Sequence, residues 1–178
     1  MFNFKTTQCV LCLLCSSAIY GQSVESRIFP WLGHWQGDLV WQMSADSSQV
    51  VPMHLRIQPL DSANCYTWNL VYGEDQKDNR GYVLRPIDTS KGHWQVDEGN
   101  GIVIDHYLFG TSFISSFDVM GSTVVDEFEL DGDMMHVRFY SFATEPATRS
   151  GLGTEESPTV QSFRAQSVQK VKLKRMAP

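Results

Sequence analysis

The sequence predicts an all-β domain: a single antiparallel up-and-down β-barrel of about ten strands. Apolar and polar residues alternate at period two almost throughout residues 35–174, and the runs are rich in β-branched and aromatic side chains. Turn signals separate the runs, among them Asn100-Gly101, Met120-Gly121 and Asp131-Gly132. A meander of that many strands has two edges with unpaired backbone groups, and closing the sheet on itself removes both. A barrel is therefore favoured over a sandwich.

The chain has 178 residues, 42% hydrophobic and 19% charged, with a net charge of −6. That length suits one domain, and the apolar content excludes disorder. Acidity argues against nucleic acid as a partner, because a phosphate binder concentrates basic side chains on one face.

Residues 1–21, MFNFKTTQCVLCLLCSSAIYG, read as a signal peptide: Lys5, a short apolar run at 9–14, then Ser16, Ser17 and Ala18. The run is far short of the roughly 20 residues that span a bilayer, so no membrane span is expected after its removal. Cleavage fits after Ala18 or Gly21, the latter preferred, leaving a domain of residues 22–178. A secreted or periplasmic location follows. Removal takes Lys5 with it, which moves the net charge from −6 to −7, and it takes Cys9, Cys12 and Cys15. Cys65 is left without an internal disulfide partner and is read as a buried structural thiol.

A short helical lead-in is expected within 23–31. Strands follow at 35–43, 50–59, 65–72 and 81–87, the last two separated by a charged loop at 74–80. Two more, 93–98 and 102–109, meet at Asn100-Gly101. Those at 112–119, 123–130 and 134–142 are joined by the two Gly turns. Pro146, Gly151, Gly153 and Pro158 mark residues 143–158 as the longest loop, and a final strand lies within 160–174.

The segment Phe29-Pro30-Trp31-Leu32-Gly33-His34-Trp35-Gln36-Gly37 resembles the opening of lipocalin-like (calycin) barrels. Its Gly-x-Trp-x-Gly spelling is most similar to the nitrobindin and fatty-acid-binding branch. The resemblance implies a structural plug in which Gly33 and Trp35 close one barrel end and an Arg from the last strand, Arg175 or Arg164, lies over the indole. It also implies a cavity for a small hydrophobic or amphipathic molecule. Small barrels either fill with side chains or hold one such ligand. Trp41, Met53, Leu55, Trp68, Tyr82, His136, Arg138 and Tyr140 are the candidate ligand-binding residues, an apolar wall with a few polar handles. Trp41 lies six residues beyond Trp35 on the same face, about 20 Å along the strand, so it is expected to reach the open half.

Nitrobindin-like barrels hold haem through a His near the C-terminus. The last His here is His136, so haem is not carried over. The five His residues are scattered, and neither a metal nor a cofactor is expected. Arg138-x-Tyr140 is similar to the carboxylate-gripping pair of fatty-acid-binding barrels, and a planar guanidinium beside a phenol suits that task. Met135, Val137 and Phe139 form the more apolar face of the same strand and would normally point inward, which opposes a cavity-facing Arg138. Asp126, Glu127, Glu129, Asp131 and Asp133 read as a solvated hairpin, Asp97-Glu98 and Asp105 as hairpin-end carboxylates, and Lys170, Lys172 and Lys174 as a solvent face.

Three functions stay open. The first is a binding protein without chemistry of its own. The second is an isomerase- or cyclase-type barrel enzyme using an inward pair such as His136 with Asp126 or Asp118. The third is a filled barrel with a structural or interaction role. The oligomeric state is not readable.

Overall fold

The computed structural model describes residues 27–62 and 64–177; the expected signal peptide lies outside them. A 3-10 turn, Phe29–Trp31, opens on Pro30 and leads into ten strands. These are β1 (Gly33–Ser44), β2 (Ser47–Ile57), β3 (Tyr66–Tyr72), β4 (Asp78–Asp88), β5 (His93–Asp97), β6 (Val103–Phe109), β7 (Ser112–Val119), β8 (Ser122–Asp131), β9 (Met134–Ser150) and β10 (Val160–Arg175). Each pairs antiparallel with its neighbour in sequence, and β1 pairs with β10 to close the barrel. The all-β barrel read from alternation is the observed fold.

The pleat explains which residues face in. On β1, Trp35 and Leu39 are buried; on β2, Met53, Leu55 and Ile57; on β9, Met135 and Val137; on β10, Val171 and Leu173. The residues between them point out, including the exposed Lys170, Lys172 and Lys174. The β1–β10 seam is tight. A Cβ on Gly37 would sit 2.3 Å from the Lys172 carbonyl oxygen, so only glycine admits this approach of the two strands.

Three expectations change. Residues 143–150 are not loop but a continuation of β9, paired with β10 from Val160↔Ser150 onward. Beyond Ala143, where pairing with β8 ends, β9 has β10 as its neighbour on one side alone, and Pro146 occupies this unpaired edge at no cost in ladder bonds. The result is a two-stranded ribbon standing off the barrel, with shifts in register at Ser162–Ser167. Likewise the charged residues Asp78 to Arg80 are not loop: Arg80 pairs with Leu70 and Asp78 with Tyr72. Cys65 precedes β3 and is half-buried rather than buried.

Candidate functional site

One half of the barrel is solid. Below its midplane, aromatic rings meet edge to face: Trp31 on Phe113 at 4.8 Å, Phe113 on Trp68 at 5.9 Å, and Trp68 on Phe128 at 4.9 Å. Phe128 in turn meets Phe139 at 5.7 Å. Trp35 seals the closed end. Its ring is fully buried, Nε1–H donates to the Trp31 carbonyl at 2.9 Å, and the Arg175 guanidinium lies 4.0 Å over it. Arg175 also donates to the carbonyls of Leu32 and Pro30 and to Asp133 Oδ1, tying β10 to the lead-in and to the β8–β9 turn. Arg164, by contrast, is exposed on the ribbon.

The other half is hollow. A cavity of about 640 Å³ lies above the aromatic floor of Trp68, Phe128 and Phe139, and it opens between the β5–β6 and β7–β8 turns. Its wall is mainly apolar, with Leu70, Val96, Ile104, Phe117 and Val124. Ile102, Val103 and Val119 carry that character out to an exposed rim.

Three polar residues interrupt the wall deep inside. Register places His106 opposite Ser115 and Ser115 opposite Asp126, a row across β6, β7 and β8. All three are inward and buried, with 3%, 3% and 6% of their surfaces exposed. His106 Nδ1 lies 3.3 Å from the Ile104 carbonyl, which can only accept, so this nitrogen carries the hydrogen. His106 Nε2 lies 3.3 Å from Asp126 Oδ1. The two atoms are close but not aligned for a hydrogen bond, and Asp126 Oδ1 and Ser115 Oγ are both without a hydrogen-bond partner.

At the mouth, Arg80 projects from β4 over the Tyr72 ring at 4.9 Å and is held by both oxygens of Asp78, each at 2.9 Å. These hydrogen bonds hold the Asp78 carboxyl below its usual range. Desolvation pushes the Tyr72 phenol up to about 12. Tyr82 is raised as well, first by desolvation and then by the nearby Glu98 carboxylate.

Of the residues singled out in the sequence, Trp68, Tyr82 and Tyr140 border the cavity. Trp41 does not, although Gln169, its partner across the seam, does. Met53 and Leu55 are fully buried in the core instead. His136 and Arg138 lie on the outer surface, as the apolar alternation of β9 requires, and Arg138 pairs there with Glu127 and Glu129 at 2.8 and 3.0 Å. No carboxylate grip on the cavity side forms from Arg138 and Tyr140. The histidine that faces Asp126 is His106, not His136. Asp126 is no member of a solvated turn, and Glu98 and Asp118 border the cavity despite their places near hairpin ends. Parity carried the missing signal: Asp126 lies between Val124 and Phe128 on one face, and His106 between Ile104 and Leu108. Among the described residues no group of three His, Cys, Asp or Glu side chains is placed to hold a metal, and no helix is long and apolar enough to cross a membrane.

No family model matches the sequence, and no curated protein matches it. Solved structures do. A protein of unknown function from the DUF3598 family of Nostoc punctiforme PCC 73102 superposes with a TM-score of 0.60 at 15% identity, over 84% of this chain and 49% of that one. The chain thus spans about half the length of the Nostoc protein. An S-type phycobiliprotein lyase from Guillardia theta superposes with a TM-score of 0.56 at 9% identity, over 88% of this chain and 94% of that one. At such identities the likeness concerns the fold, and it identifies the chain as a closed ten-stranded barrel of calycin-like architecture.

Proposed function

We propose that the chain is a secreted or periplasmic binding protein that holds one small hydrophobic or amphipathic molecule in the open half of its barrel. The observation that carries this reading is the cavity of about 640 Å³, apolar in its wall and rim and crossed by a few convergent polar groups. The fold shared with a phycobiliprotein lyase supports a role in handling a small ligand. The Gly33-x-Trp35-x-Gly37 spelling is what supports kinship with the nitrobindin and fatty-acid-binding branch. The leader at 1–21 supports export, and N-terminal sequencing of the mature protein tests it: a chain beginning at Met1 would end that part of the proposal.

Native mass spectrometry of protein purified from its own source is the direct test of binding. A stoichiometric adduct that denaturation releases is the expected result. A bare chain that also fails to bind diphenylhexatriene would overturn the reading. A second reading, an isomerase- or cyclase-type enzyme on the same barrel, is favoured by the buried His106–Asp126 contact beside the cavity. Recovered ligand re-incubated with protein separates the two: a carrier returns it unchanged, and an enzyme converts it in a manner lost in His106→Gln.

A further inference from the structure

We propose that the His106–Ser115–Asp126 row is a subsite for a nitrogen hydrogen-bond donor, the ammonium or N–H group of an otherwise apolar ligand. This rests on the ligand-binding reading and specifies which end of the ligand enters first. The row is a lateral stripe fixed by strand register, His106↔Ser115↔Asp126, so the three side chains stand side by side on the inner face. Asp126 and His106 border the cavity, and Ser115 lies between them.

The stripe is short of donors. A buried polar atom without a partner is costly, and folded proteins hold few of them. Two such atoms, Asp126 Oδ1 and Ser115 Oγ, occur here on neighbouring strands. His106 does not remedy this. Its Nδ1 is directed to the Ile104 carbonyl, and its Nε2, 3.3 Å from Asp126 Oδ1, is not aligned for a hydrogen bond to it. The unpartnered carboxylate and hydroxyl oxygens call for a donor between or beside them. Among the described residues no Lys or Arg pairs with Asp126, and Arg80, the cation of the cavity wall, is held at the mouth by Asp78.

An incoming N–H group would satisfy the unpartnered carboxylate oxygen. The Ser115 hydroxyl, able to donate as well as accept, would complete the set. A group that only accepts, such as an ester carbonyl, would meet like partial charges and leave the stripe unsatisfied. The aromatic floor of Trp68, Phe128 and Phe139 beneath it suits an apolar body next to that nitrogen, and the apolar rim suits its entry.

The test uses the full mature chain and displacement of diphenylhexatriene, a hydrocarbon probe that neither donates nor accepts. Dodecylamine, dodecanamide and methyl dodecanoate compete for the cavity with comparable chains and different head groups. The amine should bind about tenfold or more tighter than the ester, the scale of one hydrogen bond to a charged group. Asp126→Asn should erase that preference while leaving diphenylhexatriene and ester affinities within about twofold. Ser115→Ala, a small change of volume, should weaken the amine in the same direction and serves if Asp126→Asn does not fold. Dodecanamide following the amine assigns the subsite to N–H groups in general; dodecanamide following the ester restricts it to ammonium. Equal binding of amine and ester by the unmodified protein, or a preference that survives both substitutions, would overturn the subsite and leave the binding-protein reading standing. Failure of every probe to bind would overturn both.

Discussion

Replacing Trp35 by alanine removes the indole that joins four parts of the closed end. The ring is fully buried, its N–H satisfies the Trp31 carbonyl, and Arg175 lies across its face while reaching the lead-in and Asp133. Burying a large aromatic removes about 150–250 Å² from water, worth about 4–6 kcal/mol as an upper bound. Measured truncations of buried aromatics cost about 3–5 kcal/mol, and stacking of the guanidinium adds about 0.5–2. A loss of about 4 kcal/mol is a large share of the 5–15 or so that stabilise a domain. With a urea slope of about 2 kcal/mol/M, the midpoint should fall by about 2 M. Trp35→Phe keeps most of the apolar body but abandons the Trp31 carbonyl, so its midpoint should lie between the two. Trp41, half-buried and outside the plug, provides the comparison, and Trp41→Ala should cost clearly less. Urea melts followed by far-UV circular dichroism decide the matter. A Trp35→Ala midpoint within about 0.5 M of the unmodified protein would refute the plug as a stability anchor.

Gly37→Ala should destabilise by about 1–3 kcal/mol or more, because the new Cβ meets the Lys172 carbonyl, whereas Gly81→Ala, with open space at its Cβ, should be close to neutral in the same melts. His34 Nε2 and His54 Nδ1 lie 3.0 Å apart on the outward face of β1 and β2, where His54 is nevertheless buried, and both pKa values are lowered from 6.5, first by desolvation and then by Arg56. The folded state therefore binds fewer protons than the unfolded one, so stability should fall as pH drops below about 6.5 and level off beneath the folded pKa values. His54→Gln should flatten that dependence in thermal melts taken between about pH 7 and 5, while an unchanged slope would show that the pair does not cause it. The Tyr72 phenol, held protonated up to about 12, should contribute stability that is complete below pH 10 and disappears between about 10 and 12. An ultraviolet titration should show a tyrosine ionising near pH 12 that Tyr72→Phe removes.

Period-two alternation with glycine turns is a local property, and the ten strands and the inward faces of β2, β9 and β10 were legible from it. Trp35 and Arg175 were legible too, as positions in a motif. What failed was context. Charged Asp78 to Arg80 look like loop until β3 pairs with them, and Pro146 looks like a breaker until β9 is seen to have a free edge there. The site suffered from a similar bias. Arg138 drew attention as half of a carboxylate-gripping pair and His136 as a polar handle, yet their neighbours Met135 and Val137 already turned them outward. Asp126 was grouped with acidic neighbours in sequence, whereas its surroundings are set by strands β6 and β7 and by the burial of Val124 and Phe128 on its own face. Whether the barrel is hollow depends on how its rings stack from Trp31 to Phe139, which no single strand encodes.

The β1–β10 seam has a consequence for the order in which the chain can acquire its structure. Nine of the ten ladders join strands adjacent in sequence, and each can form as soon as its second strand is available. The tenth joins the first strand to the last, pairing Trp35 with Arg175 across nearly the whole domain. A loop of that length carries the largest closure entropy in the molecule, and contacts so distant in sequence slow folding. During synthesis, β1 must therefore wait with one edge unpaired until β10 emerges. Only then can Arg175 cross the Trp35 indole and convert an open, adhesive sheet into a barrel without edges.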